Sequence, residues 1–222
     1  WFKQTIEKAV NQPLPGKPCE ILRALQAPAE LLDWAAGVEN AEFPLKKTSA
    51  GKWVPDLESR RKQAKRKSGQ FYTPEKFSFE IIEQIKPELK GKILDPACGD
   101  GSFLMVAAEK AKKAAGDAFR LENIYGYDID AQALLVCLGR LIEGFWGYGW
   151  PILRCADFLT AEIGERFDLV IGNPPYKVNL NEEMKEYLRR KYQTAEGEKD
   201  LYTFFIERSI KLLHDGGQLI LL

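Results

Sequence analysis

The chain lacks long apolar runs, an excess of either charge and a signal-peptide pattern. No apolar stretch approaches the roughly 20 residues that cross a bilayer, so we expect a cytoplasmic protein without a membrane partner. The 32 Lys and Arg residues balance the 32 Asp and Glu residues. This balance neither favours nor excludes a nucleic-acid partner, and any such contact depends on local basic patches.

Cysteine and histidine are also scarce. Cys19, Cys98, Cys137 and Cys155 are widely scattered and form no CxxC pair. This spacing fits reduced thiols in a cytosolic protein, not a disulfide framework or a zinc site, and we expect no metal. The single histidine, His214, is predicted at a helix C-terminus, where the helix dipole favours an imidazolium. No Ser or Cys motif accompanies it, so a structural role is expected.

A length of 222 residues with 45% hydrophobic content allows one sizeable domain and a small appendage. Residues 1–68 predict helices and loops, with apolar residues at helical spacing in 20–25 and 29–34. Residues 56–67 predict a short polar helix, and no carboxylate arrangement there supports a nuclease. The basic run within it, residues 60–67, is either a solvated face or an edge that contacts phosphates.

From Lys92 onwards the pattern alternates between strand and helix. Strands are predicted at residues 92–95, 123–127, 151–155, 167–172 and from 218, and helices at 103–115, 131–143, 182–192 and 200–213. The alternation predicts a doubly wound, mostly parallel, Rossmann-like α/β sheet behind a helical N-terminal portion. Because the chain starts at Trp1 and stops within a predicted buried strand, we expect a fragment whose sheet is incomplete at its C-terminus.

Acidic residues end three successive predicted strands. Asp95, Asp128 and Asp157 occupy these positions, and carboxylates are rarely buried without partners. Ligands of open α/β sheets bind at the carboxyl ends of the strands. We expect Asp128 to accept hydrogen bonds from ribose hydroxyls and Asp157 to accept one from an adenine amino group, with Phe158 covering the ring. Asp130 is expected to cap the following helix.

A loop of small residues, 96–102, follows the first of these strands. Its glycines allow the backbone to approach a ligand closely. The dinucleotide fingerprint is incomplete and the P-loop lysine is missing. An acid ahead of the loop, Asp95, would repel a pyrophosphate and suits a ligand that carries an ammonium group. The loop therefore favours S-adenosylmethionine over NAD or ATP.

The run Asn173-Pro174-Pro175-Tyr176 follows the strand at 167–172. The prolines fix two φ angles and remove two donors, while their carbonyls remain acceptors. The run thus offers an amide oxygen, a rigid carbonyl and an aromatic face, which suit a planar amine such as that of adenine. A plain turn is the alternative, and the neighbouring acids and glycine loop favour the site. Upstream, Phe-Tyr-Thr-Pro at 71–74 is either a helix cap or one wall of a flat pocket.

These three motifs, at 71–74, 95–101 and 173–176, resemble in sequence and order those of the gamma class of DNA adenine-N6 methyltransferases. That class includes type I modification subunits and the methylase portions of type IIG restriction-modification enzymes. The resemblance covers residues 69–222, and residues 1–68 match no family. We therefore expect a helical N-terminal segment, 1–68, and a methyltransferase catalytic domain, 69–222, truncated at its C-terminus.

The resemblance implies transfer of a methyl group from S-adenosylmethionine to an adenine flipped out of double-stranded DNA, in a prokaryotic cytoplasm. The Asn173 side-chain oxygen and the Pro174 carbonyl would accept the amino hydrogens, Pro175 would stiffen the turn, and Tyr176 would stack on the base. The implied cofactor-binding residues are Gln70, Tyr72, Thr73, Pro74, Asp95, Ala97, Cys98, Gly99, Asp128, Ile129, Asp157, Phe158 and Asn173. Asp200 and Phe204 are further candidates near the same pocket.

The resemblance also implies that a target-recognition domain or specificity subunit outside this chain reads the DNA sequence. Enzymes that methylate protein glutamine amides or RNA use similar tetrapeptides, so both remain alternatives. From another class, the chain would be a non-catalytic module that binds cofactor or a partner. The motif at 71–74 and the basic run favour DNA, while intact Asn173 and Tyr176 favour catalysis. A fragment without the later strands is able to bind cofactor and yet be inactive.

Overall fold

The computed structural model of the chain describes residues 1–14, 17–38, 80–82, 89, 91–176, 180–195 and 200–222, and the backbone of residues 45–47 and 53–55. The helices are α1 (Phe2–Val10), α2 (Pro18–Ala24), α3 (Ala29–Ala35), α4 (Ser102–Ala115), α5 (Ala131–Phe145), α6 (Glu182–Lys191) and α7 (Leu201–Leu212). The strands are β1 (Leu45–Lys47), β2 (Trp53–Pro55), β3 (Ile93–Asp95), β4 (Ile124–Asp128), β5 (Ile152–Cys155), β6 (Phe167–Gly172) and β7 (Leu213–Leu221). No helix among the described residues has the length and apolar character to cross a membrane.

Strands β3 to β7 form one sheet in the order β5-β4-β3-β6-β7, and every neighbouring pair is parallel. The chain runs from β3 outwards to β4 and β5, then returns to place β6 and β7 on the other side of β3. Strand order therefore reverses between β3 and β6. Ligands of doubly wound sheets bind at the carboxyl ends of the strands near such a reversal. The doubly wound, parallel α/β fold predicted from the sequence is confirmed.

The two faces of the sheet are buried by different helices. Ile93 and Leu169 belong to an apolar core shared with α4, α5 and the N-terminal helices. Their neighbours Leu94 and Val170 belong to a second core with α6 and α7. This division follows from the alternation of side chains along a strand. Both faces of the short central strands are covered, which explains why those strands are almost wholly apolar.

The N-terminal helices form an outer layer on the first of these faces. Phe2 and Ile6 of α1 are buried in the same core as α5, and a Cβ built at Gly139 of α5 would lie 2.7 Å from the Trp1 ring. The indole nitrogen of Trp34 donates to the Leu153 carbonyl of β5 at 3.3 Å. Helices α1 to α3 thus pack directly on the α/β layer. The predicted boundary at residues 68 and 69 lies outside the described residues.

Helix α5 begins as the sequence predicts. The Asp130 carboxylate accepts hydrogen bonds from the backbone amides of Gln132 at 2.9 Å and Ala133 at 3.1 Å, which makes it the N-cap. Helix α4 starts after Gly101, whose φ of 81° places it in the left-handed region. A side chain at Gly101 would also meet the Cys137 sulfur at 2.6 Å. Glycine is therefore required at this turn on two grounds.

Two local expectations are wrong. Residues 45–47 and 53–55 form an antiparallel pair, β1 with β2, in a region expected to hold only helices and loops. His214 does not end a helix, because α7 ends at Leu212 and His214 lies exposed within β7. Leu213 already pairs with Phe167, and pairing resumes between Leu169 and Gln218. The polar residues 214–217 bulge out between these two pairs, so strand β7 begins five residues before the predicted start.

Candidate active site

A cleft opens at the carboxyl ends of β3, β4, β5 and β6. The described residues that the resemblance assigns to the cofactor all lie on its wall, namely Asp95, Ala97, Cys98, Gly99, Asp128, Ile129, Asp157, Phe158 and Asn173. Pro175 also lines it, whereas Pro174 and Tyr176 do not. Gln70, Tyr72, Thr73, Pro74 and the basic run 60–67 fall outside the described residues. The strand ends thus bring together residues that are far apart in sequence.

The cleft wall is acidic. Asp95, Asp100, Asp128 and Asp157 line it, and no lysine or arginine of the described residues does so. Asp100 pairs with Arg140 of α5 at 3.5 Å, and Arg140 does not itself line the cleft. A pyrophosphate placed here would therefore meet carboxylates on the wall, whereas an ammonium or sulfonium group would be attracted. Within the described ranges, no group of three or more His, Cys, Asp or Glu side chains is arranged to hold a metal ion.

Asp95 lies at the base of the cleft and is 1% exposed. Its Oδ1 atom accepts a hydrogen bond from the Ala97 amide at 3.0 Å. Burial raises the pKa of Asp95 well above its ordinary value; the Ala97 hydrogen bond lowers it, and the negative charges of Asp128 and Asp100 raise it further. A cation bound beside Asp95 would favour the ionised form.

The glycine loop is held in place by neighbouring elements. The Cys98 amide donates to the Tyr127 carbonyl at 2.9 Å, and the Gly99 amide donates to Asp128 Oδ2 at 2.8 Å. Arg140 of α5 donates to the Asp100 carbonyl at 2.9 Å. These bonds connect the loop to the end of β4 and to α5, so the backbone that faces the cleft is fixed before any ligand arrives.

The Cys98 thiol is not set up to react as a thiolate. Burial raises its pKa well above the ordinary value, and so do a hydrogen bond with Cys137 and the charges of Asp128 and Asp95. A Cβ at Gly126 would lie 2.8 Å from this sulfur. Cys98 therefore stays a protonated thiol, and its small size lets the loop pack on β4.

The turn after β5 forms the other wall of the cleft. Asp157 Oδ1 accepts from the Leu159 amide at 2.9 Å. The Phe158 ring is 2% exposed and stacks on Phe205 with centroids 5.3 Å apart. Tyr127 meets Phe158 edge-on at 6.1 Å. An acceptor and an aromatic group thus stand side by side on a short, tightly folded turn.

The Asn-Pro-Pro-Tyr run leaves β6 beside the end of β3. A Cβ at Gly172 would lie 2.5 Å from Asp95 Oδ1, so the end of β6 packs closely against the end of β3. The side-chain oxygen of Asn173 is buried from solvent. Tyr176 is 43% exposed, and its ring stacks on Tyr202 at 5.3 Å between centroids with a 5° interplanar angle. The tetrapeptide therefore stands at the rim of the acidic cleft.

The family model described as "N-6 DNA Methylase" matches residues 57–222. The chain belongs to this family. The match covers the sheet, the cleft and the tetrapeptide, and it includes residues 71–74 and the basic run. It begins twelve residues upstream of position 69, where the resemblance in the sequence motifs starts.

Curated relatives are restriction-modification methyltransferases. The chain is 32% identical over 165 residues to the type II methyltransferase M.VspI of Vibrio sp. (strain 343), covering 73% of this chain and 38% of the relative. It is 37% identical over 139 residues to the type II methyltransferase M.TthHB8I of Thermus thermophilus, covering 59% of this chain and 28% of the relative. The chain thus spans about a third of the length of the curated relatives it matches.

Solved structures agree on the fold. The type IIG restriction endonuclease BpuSI superposes with a TM-score of 0.59 at 17% identity, covering 98% of this chain and 30% of that chain. The M protein of the type I restriction enzyme EcoKI gives a TM-score of 0.53 at 18% identity, covering 77% of this chain and 38% of that chain. At these identities the likeness concerns the fold alone.

Helix α7 and its N-cap hold two candidate residues that do not line the cleft and two residues that line it but were not indicated by the motifs. Phe204 does not line the cleft and instead packs on Tyr192, with centroids 5.6 Å apart. Asp200 occupies the N-cap position of α7, also off the cleft wall. Leu201 and Phe205 do line it. They are four residues apart on one helical face, so helical spacing from Leu201 would have indicated Phe205.

Eight further residues line the cleft and were not predicted from the sequence as site residues. They are Pro96, Asp100, Ser102, Phe103, Ala156, Leu159, Leu180 and Met184. Most adjoin predicted positions within the same two loops, and adjacency was the only available signal for them. Leu180 and Met184 precede or begin α6, and only the folded chain brings that segment over the cleft.

Proposed function

We propose that the protein containing this chain is an S-adenosylmethionine-dependent DNA adenine-N6 methyltransferase of a restriction-modification system. The observation that carries the proposal is that Asn173 and Pro175 of the tetrapeptide line the same cleft as Asp95, Asp128 and Asp157. This arrangement puts acceptors for an amino group next to a pocket suited to a cationic methyl donor. The description of the matching family, N-6 DNA Methylase, supports DNA as the substrate.

The residues present fit S-adenosylmethionine. Asp95, which is buried and lines the cleft beside the glycine loop, would hold the positively charged methionine portion. Asp128 at the end of β4 would accept from the ribose hydroxyls, and Asp157 with Phe158 would hold the adenine. The cofactor supplies an electrophilic methyl group when bound. The absence of lysine and arginine from the described cleft wall supports this ligand over a pyrophosphate.

The chain's own residues would activate the target amine by orientation. The Asn173 oxygen and the Pro174 carbonyl would each accept one amino hydrogen, which directs the nitrogen lone pair towards the cleft. Pro174 and Pro175 limit the motion of these acceptors because their φ angles are fixed. Tyr176 would stack on the flipped base, which cannot be reached within the duplex. Catalysis then rests on positioning and charge complementarity, with no covalent enzyme intermediate.

A partner that reads the DNA sequence belongs to the same proposal. The chain is 29% identical over 160 residues to the methylase subunit of the type I restriction enzyme EcoEI of Escherichia coli, covering 68% of this chain and 31% of that subunit. That name supports a specificity subunit, or a target-recognition domain, that contributes the base-edge contacts. The tetrapeptide itself reads only the amino group.

The test is methyl transfer from tritiated S-adenosylmethionine to DNA that lacks adenine methylation, with nucleosides identified by mass spectrometry. We expect N6-methyladenine with the wild type. Asn173→Ala should lower the rate by roughly 100-fold or more, since it removes a positioned polar contact in the transition state, and leave cofactor affinity within a few-fold. Asn173→Asp is the matched control for side-chain size.

Two results would contradict the proposal. Label appearing in RNA or in protein glutamine, with none in DNA, would reassign the substrate to one of the alternative classes. Equal loss of methyl transfer and of cofactor affinity in Asn173→Ala would mean that Asn173 holds the cofactor and does not orient the amine.

A further inference from the structure

Arg208 of α7 is buried in an unusual environment. It is 8% exposed, and its guanidinium donates to the Leu159 carbonyl at 2.6 Å, to the Tyr192 hydroxyl at 3.2 Å and to the Ala161 carbonyl. Across the described residues, no carboxylate lies within ion-pair distance of it. Buried arginines normally have a charged partner, because transfer of an unpaired charge from water is costly.

The partners of Arg208 belong to one short turn. The Asp157 carbonyl accepts from the amides of Thr160 and Ala161 at 3.1 and 2.9 Å, so residues 157–161 close on themselves. Arg208 binds this turn from outside, at the carbonyls of Leu159 and Ala161. Its guanidinium carbon also lies 5.0 Å from the centre of the Phe158 ring. A single side chain thus contacts both the backbone and the aromatic ring of the turn.

Tyr192 reinforces the same attachment. Its hydroxyl donates to the Leu159 carbonyl at 2.8 Å, the atom that Arg208 also contacts. A planar guanidinium with several donors in a fixed fork can hold two carbonyls at a defined spacing, which a lysine cannot do. The position therefore requires the shape of arginine as well as its charge.

We propose that Arg208 is a positioning residue, which fixes the turn 157–161 so that the Asp157 carboxylate reads the amino group of the cofactor's adenine. The proposal rests on the cofactor assignment made above. Arg208 lies behind Phe158 and does not line the cleft, so it acts on the ligand through the turn. Its removal should therefore reduce the preference of the site for adenine and also weaken binding of the cofactor.

The test compares two ligands that differ at the purine. S-adenosylhomocysteine carries the amino group, and S-inosylhomocysteine has a carbonyl oxygen in its place. Calorimetric titration of the wild type should give a preference for the adenosyl ligand of roughly 10-fold or more, as expected for a hydrogen bond to a carboxylate. In Arg208→Lys and Arg208→Met, affinity for the adenosyl ligand should fall about 10-fold and the preference should drop to about 2-fold.

Two variants serve as controls. Lys211→Met changes an exposed cation one turn further along α7, where the lysine pairs with Glu207, and should leave the preference unchanged. Tyr192→Phe removes one donor to the Leu159 carbonyl and keeps the ring. It should lower the preference by a smaller factor, about 2- to 3-fold. Circular dichroism checks that each variant is folded.

The outcomes separate cleanly. Folded Arg208 variants that bind more weakly but keep the wild-type preference would show a purely structural role and overturn the proposal. A wild type that binds both ligands equally would overturn it too, because Asp157 would then not read the amino group. If both Arg208 variants fail to fold, an unchanged preference in Tyr192→Phe overturns it and a reduced one supports it. A wild type that binds neither ligand refutes the cofactor assignment itself.

Discussion

Asp95 carries a pH dependence that follows from its burial. Burial raises the pKa of Asp95 above its ordinary value of 3.8, more than the Ala97 amide lowers it, and Asp128 and Asp100 raise it further. A group whose pKa is raised on folding stabilises the protein below its unfolded pKa, and that stability is lost as pH rises through the folded pKa. In the unliganded protein, the contribution of Asp95 to the free energy of unfolding should therefore fall as pH rises from about 3.8.

Cofactor binding should reverse this loss. A cation beside Asp95 favours the carboxylate, so we expect affinity for S-adenosylmethionine to rise as pH increases through the raised pKa, with release of a proton on binding below it. Calorimetry across this pH range, in two buffers with different ionisation enthalpies, measures the number of protons released on binding. Asp95→Asn should remove the Asp95 component of both the pH slope and the proton release. Undiminished proton release in Asp95→Asn would assign it to another group.

At the residue scale, the motifs predicted residues that the fold brings to one cleft. The acids that end β3, β4 and β5 and the tetrapeptide after β6 could be placed because parallel strands bring their carboxyl ends to one edge. A motif could not show that Phe205, and not Phe204, lines the cleft, because the two residues are adjacent and both aromatic. Only the direction of the α7 face decides which of the two meets the cleft. Arg208 gave no signal at all, because its partners are backbone carbonyls that no side-chain pattern reveals.

Helix α7 serves both ends of the site. Near its start, Tyr202 stacks on Tyr176 and donates from its hydroxyl to the Leu221 carbonyl at 3.1 Å. One turn later, Phe205 stacks on Phe158, and one turn after that Arg208 reaches the turn 157–161. Residues three apart are neighbours on a helix surface. A single rigid element therefore supports the tyrosine of the tetrapeptide and the wall of the cofactor cleft.

Tyr202 should hold the Tyr176 ring in its plane. We expect Tyr202→Leu to lower methyl transfer to DNA by up to about 10-fold, since a stacked aromatic pair contributes roughly 0.5–1.5 kcal/mol. Tyr202→Phe, which keeps the ring, should lie closer to the wild type. Fluorescence of 2-aminopurine at the target position measures stacking of the extruded base. A loss of cofactor affinity as large as the loss of methyl transfer would argue against this role.

Element types were largely predictable, and exceptions have local causes. The alternation from Lys92 onwards indicated each described strand of the main sheet because both sheet faces are apolar there. The start of β7 was missed because residues 214–217 look like a turn, and they do leave the strand ladder. The pair β1 and β2 was missed because each has three residues and lacks a recognisable strand pattern: β1 holds two lysines and β2 ends in a proline. Strand β3 is equally short, but its place before the glycine loop indicated it.

At the scale of the whole molecule, the N-terminal helices form part of one of the two apolar cores. Helix α1 packs along α5, and Ile6 is fully buried there. Ile6→Ala should lower the free energy of unfolding by about 2–5 kcal/mol, the usual cost of deleting a buried aliphatic side chain. Denaturant unfolding followed by circular dichroism measures the change.

Lys3→Ala is the matched control on the same helix. Lys3 is 42% exposed and pairs with Glu7 at 3.7 Å, and an exposed pair of this kind contributes less than about 1 kcal/mol. If Ile6→Ala costs no more than Lys3→Ala, α1 is not part of the cooperative unit. The sequence indicated that helices exist here, whereas their docking on α5 arises from tertiary packing that no local pattern encodes.

The shared use of α7 limits how this scaffold can be recombined. In a chimera that takes its tetrapeptide from one relative and its cofactor loops from another, α7 would have to match both donors at once. A helix advances about 1.5 Å and turns about 100° per residue, so one inserted residue between Tyr202 and Arg208 would misalign one contact set while leaving the other intact. Junctions in such chimeras should therefore lie before or after α7 and not within it. The helix should be taken from a parent whose tetrapeptide and cofactor loops are both kept.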